Sequence, residues 1–239
     1  VSQASGNGIP GIHEHPFSTA RELIDLEPFD PRSAGRIPMA IEAAERVLAA
    51  CPGADVRVPL SGPFSLATNL VGFENILYEV HTAPELVAQA LISLVRGQVE
   101  FCREIVRHGL GIAFFESAAA PPLLSPANFR DLELPALKAI MGQTSRLVSH
   151  PVPCIMGGDT LPILDSLLAT GTGYLCCPAE TDQRGFMAKM KSHPEVKVRI
   201  NMDPGPITAN DFDAIRKEVD RVVALMGGRT DVCIGTGCL

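Results

Sequence analysis

Apolar residues recur along this chain at two different spacings, and the spacing switches abruptly. Between positions 37 and 50 they return every third or fourth residue, Pro52-Gly53 interrupts the pattern, and positions 55–60 alternate. That exchange predicts a helix followed by a strand. A second helix starts at Pro84, runs through Leu86, Ala90, Leu94 and Phe101 and stops at Gly109, and strand 111–116 follows. Ser125-Pro126 supplies a cap and first turn for a helix reaching Leu147, within which Pro135 predicts a kink or a break. The rest reads as strand 151–156, helix 160–170, strand 173–177, helix 181–191, strand 196–200, helix 210–226 and strand 231–235. Positions 1–34 differ, with Gly and Pro in irregular order and one short helical pattern around 18–26, and form an irregular opening segment.

Mostly continuous apolar strands separated by helices predict a parallel sheet covered on both faces. The strands end in similar material: Ser61-Gly62-Pro63, Glu116-Ser117-Ala118, Gly157-Gly158-Asp159, Cys176-Cys177-Pro178, Asn201-Met202-Asp203-Pro204 and Gly235-Thr236-Gly237-Cys238. Small, polar or nucleophilic residues just past successive strands are what a (β/α)8 TIM barrel places on its catalytic rim. An open doubly wound sheet is the rival, but no Gly-x-Gly-x-x-Gly follows the first strand and no phosphate-binding GxxxxGK[ST] occurs. The expected fold is therefore α/β, a TIM barrel of which this chain covers about six strands, read as a single incomplete barrel domain over positions 1–239. A closed barrel needs eight.

Charge and cysteine usage narrow the function. With 20 Lys+Arg against 27 Asp+Glu the net charge is −7, and no basic run exceeds two residues, which argues against a nucleic-acid surface. No apolar stretch approaches the roughly 18 residues of a membrane span. Seven cysteines form no regular framework, which suggests a reducing cytoplasm and free thiols.

The runs Val58-Pro59-Leu60-Ser61-Gly62-Pro63-Phe64, Phe115-Glu116-Ser117-Ala118-Ala119, Leu124-Ser125-Pro126-Ala127-Asn128-Phe129, Leu134-Pro135, Pro162-Ile163-Leu164 and Asn201-Met202-Asp203-Pro204 stand in the order and spacing of one family. They resemble the uroporphyrinogen decarboxylase superfamily, which joins haem-pathway decarboxylases to methyltransferases that move methyl groups between corrinoid proteins and thiols or related acceptors. The resemblance implies a barrel whose first strands precede the region covered here. It also implies, for the methyltransferase branch, a zinc site made by a His-x-Cys on a middle strand and a Cys after the last one. Gly237-Cys238 matches the second element, whereas Ile155-Met156-Gly157 stands where the first would be. Zinc in the usual position is therefore not expected, since Cys238 alone would hold it too weakly. His13, His15 and Cys176 are the substitute ligands if a metal is present.

The favoured reading is a methyltransferase of this superfamily with no tightly bound cofactor. It would act on a small-molecule methyl donor or acceptor with a corrinoid-binding protein as partner, since no corrinoid-binding Asp-x-His-x-x-Gly occurs in the chain. The alternatives are decarboxylation of a tetrapyrrole polycarboxylate and a non-catalytic barrel that binds a tetrapyrrole or corrinoid. Glu116, Ser117 and Cys238 are the candidate catalytic residues: a rim acid or a structural ion pair, a rim hydroxyl, and a zinc ligand or thiol nucleophile. Asn69, Asp159, Asn201 and Asp203 are candidates for substrate binding, with a helix cap as the competing role for Asp159 and a turn for Asn201 and Asp203. Strand alternation turns Cys154 toward the helices and separates Cys176 from Cys177, so that only one of the latter can reach the site.

Overall fold

A computed structural model describes Ile12 and residues 14–237. The helices, in chain order, are α1 (Arg21–Ile24), α2 (Ile37–Ala50), α3 (Pro63–Val71), α4 (Phe73–Thr82), α5 (Pro84–Arg107), α6 (Pro126–Asn128), α7 (Leu134–Val148), α8 (Leu164–Leu168), α9 (Gln183–Met190), α10 (Pro204–Thr208) and α11 (Phe212–Met226). The strands are β1 (Arg57–Ser61), β2 (Gly111–Phe115), β3 (Pro153–Ile155), β4 (Tyr174–Cys177), β5 (Lys197–Asn201) and β6 (Val232–Gly235). They form one parallel sheet in the order β1-β2-β3-β4-β5-β6. A doubly wound sheet would reverse direction at a switch point; this order never does, which is the progression of a barrel wall.

All six expected strands are present, each within a few residues of its expected place. The register sorts their side chains into two faces. Val58, Leu60, Ile112, Phe114, Cys154, Leu175, Cys177, Val198 and Ile200 are all buried against the helix layer. The pairs Ser61 with Phe115, Phe115 with Ile155, Cys176 with Arg199, Arg199 with Cys233 and Asn201 with Gly235 lie on the opposite, inner face.

The helix layer centres on α5, which packs against α1, α3, α4 and α7. Phe64, Phe114, Phe129 and Phe186 are fully enclosed in this core. Each such ring contributes about 1.5–3 kcal/mol relative to exposure.

The break expected at Pro135 is real but begins earlier. Ser125 caps α6 by accepting from the Asn128 amide, and residues Phe129–Glu133 then form a π-turn before α7 starts. Pro135 is thereby the second residue of α7, where a missing amide hydrogen leaves no bond unmade. The helices α3 and α4, back to back across Gly72 at φ +98°, were not expected from the sequence pattern.

Candidate functional site

The inner face becomes polar toward the C-terminal ends of β4, β5 and β6. Along β5 the residues alternate Lys197, Val198, Arg199, Ile200 and Asn201, so the apolar pair enters the helix layer and the polar set faces inward. The Arg199 guanidinium donates to the Cys176 thiol on β4 at 3.5 Å. Burial raises the Cys176 pKa above the ordinary thiol range, and Arg199 opposes this. Cys176 is therefore a neutral thiol beside a cation, and Cys177, its neighbour, is packed among the helices. Tyr174, one pleat toward the start of β4, meets Cys233 of β6 at 3.6 Å.

Asn201 is the polar terminus of β5, only 7% exposed. Its backbone carbonyl accepts from Gln183, while its side-chain Oδ1 has no partner among the described residues. Gly235 on β6 leaves room for both Asn201 and Arg199, because a side chain there would collide with each. Beyond β6 the chain turns at Gly237, φ +74°, where an added Cβ would lie 3.4 Å from the Met202 carbonyl and 3.9 Å from Asn201. The end of β6 is thus held against the rim of β5. Cys238 and His13 lie outside the described residues.

The other expected residues divide by what engages them. The Ser117 hydroxyl accepts from the Gly157 amide at 3.0 Å, tying the turn after β2 to the turn after β3. Asp159 accepts from the Thr181 hydroxyl at 2.7 Å, and Thr181 in turn accepts from the Leu161 amide. Asp159 therefore joins the β3 and β4 loops rather than capping a helix. Asp203 does cap: it accepts from the Gly205 amide at 2.8 Å to start α10, and its own amide donates to Glu218. Asn69 is exposed on α3, and its carbonyl is taken by the ring of His15 at 2.9 Å. No hydrogen bond connects Asn69 or His15 to the Cys176–Arg199–Asn201 group among the described residues.

Glu116 corrects the expectation of an acid in the catalytic centre. Phe115 is exposed on the inner face, so the next residue turns to the helix side, and Glu116 is wholly enclosed. Its Oε1 accepts from the Ser65 amide at 2.9 Å at the N-terminus of α3. Its carboxyl fills the space that a side chain on Gly62 would need, and it faces the equally buried carboxyl of Glu133 at the end of the π-turn. Burial drives both carboxyl pKa values upward, and Glu116 raises that of Glu133 further. An acid so placed cannot touch a substrate on the inner face.

Sequence reasoning missed Arg199 and Glu133. The first was legible as the middle of an i, i+2, i+4 polar set on an otherwise apolar strand. The second carried no such signal.

A zinc ion finds no set of three ligands among the described residues. Ile155 occupies the inner face of β3, Cys176 is taken up by Arg199, and His15 is turned to Asn69 on α3. The residues that are described do not fit the metal.

Residues 1–238 match the family described as uroporphyrinogen decarboxylase (URO-D). Among solved structures, a methyltransferase from Methanosarcina mazei is similar in fold, with a TM-score of 0.73 at 23% sequence identity over 95% of this chain and 66% of that one. The chain thus spans 66% of the length of that protein. No curated protein matches the chain. No helix among the described residues is long and apolar enough to cross a membrane.

Proposed function

The chain belongs to the uroporphyrinogen decarboxylase family, and on that premise we propose that it works as a methyltransferase, moving a methyl group between a corrinoid protein and a small acceptor bound on the inner face of the barrel. The observation that carries this reading is the Cys176–Arg199–Asn201 group at the C-terminal ends of β4 and β5, where a barrel keeps its chemistry. The name of the structurally similar methyltransferase favours the same branch.

In such a transfer the acceptor atom forms its bond to the methyl carbon with its own lone pair. The bond to the carrier breaks with its electrons left on the carrier, and any proton on the acceptor is released to solvent. Arg199 would orient an electron-rich acceptor by its charge, and the unpartnered Asn201 Oδ1 would accept from a donor group on it. Ser117 would hold the β2 and β3 loops in place around it. Cys238 follows Gly237 in sequence and keeps its assignment as zinc ligand or thiol nucleophile on the resemblance alone. A decarboxylase of tetrapyrrole polycarboxylates needs several cations to grip its substrate. Among the described residues, Arg199 is the one cation on the inner face near this rim, since Arg57 pairs with Asp55 and Lys197 lies at the start of β5.

The test combines the protein with a methylated corrinoid protein and a panel of thiol acceptors and follows the corrinoid absorption spectrum. Demethylation that depends on acceptor and falls at least tenfold in Arg199→Met and Cys238→Ala supports the reading. Release of CO2 from a tetrapyrrole polycarboxylate without methyl transfer would establish the decarboxylase instead.

A further inference from the structure

We propose that Glu116 and Glu133 are a positioning pair joined by a single shared proton, which fastens the turn after β1 and the N-terminus of α3 to the rim segment after β2. Both side chains are fully enclosed. Glu116 Oε1 accepts from the Ser65 amide, and the Ser65 hydroxyl and Phe64 amide lie close by, whereas Glu116 Oε2 and both oxygens of Glu133 have no hydrogen-bond partner among the described residues. The two carboxyl groups lie within hydrogen-bonding reach of each other.

Two bare carboxylates in that enclosure would repel with no countercharge, and two neutral acids would forgo the positive end of α3. One proton resolves both conflicts. The acid O–H donates to the neighbouring carboxylate in a short charge-assisted bond, and the remaining negative charge meets the amides of Phe64 and Ser65 at the start of a nine-residue helix. The groups facing the pair are few. Gly62 lies against it from the turn after β1, Phe64 and Ser65 from α3, and the Cys154 thiol, itself pushed up by burial, from β3. From α5, Gln98 donates to the Ser61 carbonyl just before Gly62 at 2.8 Å. No Lys, Arg or His among the described residues contributes to either carboxyl.

The geometry joins this pair to the rim. Glu116 immediately precedes Ser117, and the hydroxyl of Ser65 accepts from the Ala118 amide at 3.3 Å, so α3 and the segment Ser117–Ala119 are held by the same few bonds. The π-turn Phe129–Glu133 is what rotates Glu133 inward; a regular helix through the same residues would direct position 133 elsewhere.

The sign of the pH effect is fixed by the shared proton. The unfolded chain releases both carboxyl protons near pH 4.3, whereas in the fold burial raises the Glu116 carboxyl to about 7 and that of Glu133 as well, so that near neutral pH the pair still holds one. Stability is therefore largest at or below about pH 4.3 as far as this pair is concerned, and falls as pH rises until the folded pair ionises.

Infrared titration of the whole protein, together with urea unfolding at a series of pH values, tests the proposal. The expected result has two parts. The wild type keeps one protonated-carboxyl carbonyl band at pH 7 that disappears in both Glu116→Gln and Glu133→Gln. Its folding equilibrium constant falls at least tenfold per pH unit between pH 5 and 7, and that slope is reduced in Glu133→Gln. The glutamine variants keep size and hydrogen bonding, and either one suffices should the other fail to fold. Absence of the band from the wild type at pH 7, its persistence in the variants, or an unchanged slope would overturn the proposal.

Discussion

The carboxyl of Glu116 occupies the space in which a side chain on Gly62 would have to lie. Gly62 itself has φ −68° and ψ 173°, an ordinary extended conformation, so the requirement for glycine here is one of volume and not of backbone freedom. Gly62→Ala must push away a buried acid and, with it, the cap of α3. We expect a loss of about 1–3 kcal/mol in unfolding free energy by urea denaturation. A loss below about 0.5 kcal/mol would mean that the enclosure is looser than described.

The cysteines should separate cleanly by reactivity. Cys102, Cys154, Cys176 and Cys177 are buried, and burial pushes the Cys102 thiol up to about 11 and those of Cys154 and Cys177 higher. Cys51 and Cys233 are exposed. Among the described cysteines, brief alkylation of the native protein at pH 8, mapped by mass spectrometry, should label the exposed two and spare the buried four until denaturant is added. Rapid labelling of Cys176 would contradict its place under Arg199.

Arg229 should be irreplaceable by lysine. Its guanidinium forms a two-point contact with Asp231 and reaches the carbonyls of Met190, His193 and Val196, with only 15% of the side chain exposed. A lysine retains the charge but can satisfy no such planar array. Arg229→Lys is expected to cost about 1–3 kcal/mol, read as a lowered urea midpoint at unchanged m value.

The strands and most helices were legible because this chain changes its apolar period sharply and marks the changes with Gly and Pro. Residues 63–82 escaped because two helices meet at Gly72 with no polar break, so one apolar stretch hides two elements. Alternation correctly separated Cys154 from Ile155 and Cys176 from Cys177, since a period of two leaves no freedom. The same rule, carried one residue past Phe115, would have turned Glu116 away from the inner face. Glu133 was out of reach: its inward direction comes from a π-turn, a one-residue shift in helical phase that no propensity marks.

Gly235 offers a way to separate the inner-face group from stability. It lies on β6, half exposed, and a methyl group there would meet the side chains of Asn201 and Arg199 rather than the packed core. Arg199 is long enough to swing aside, whereas Asn201, 7% exposed and held by its backbone contact with Gln183, can only rotate its amide. Gly235→Ala should therefore change unfolding free energy by no more than about 1 kcal/mol while misplacing both polar groups. If Arg199 and Asn201 orient the acceptor, methyl transfer from the corrinoid protein should fall at least tenfold, mostly through a raised KM for the acceptor. Placing Ala at 235 with transfer and KM unchanged would show that the acceptor binds elsewhere on the barrel.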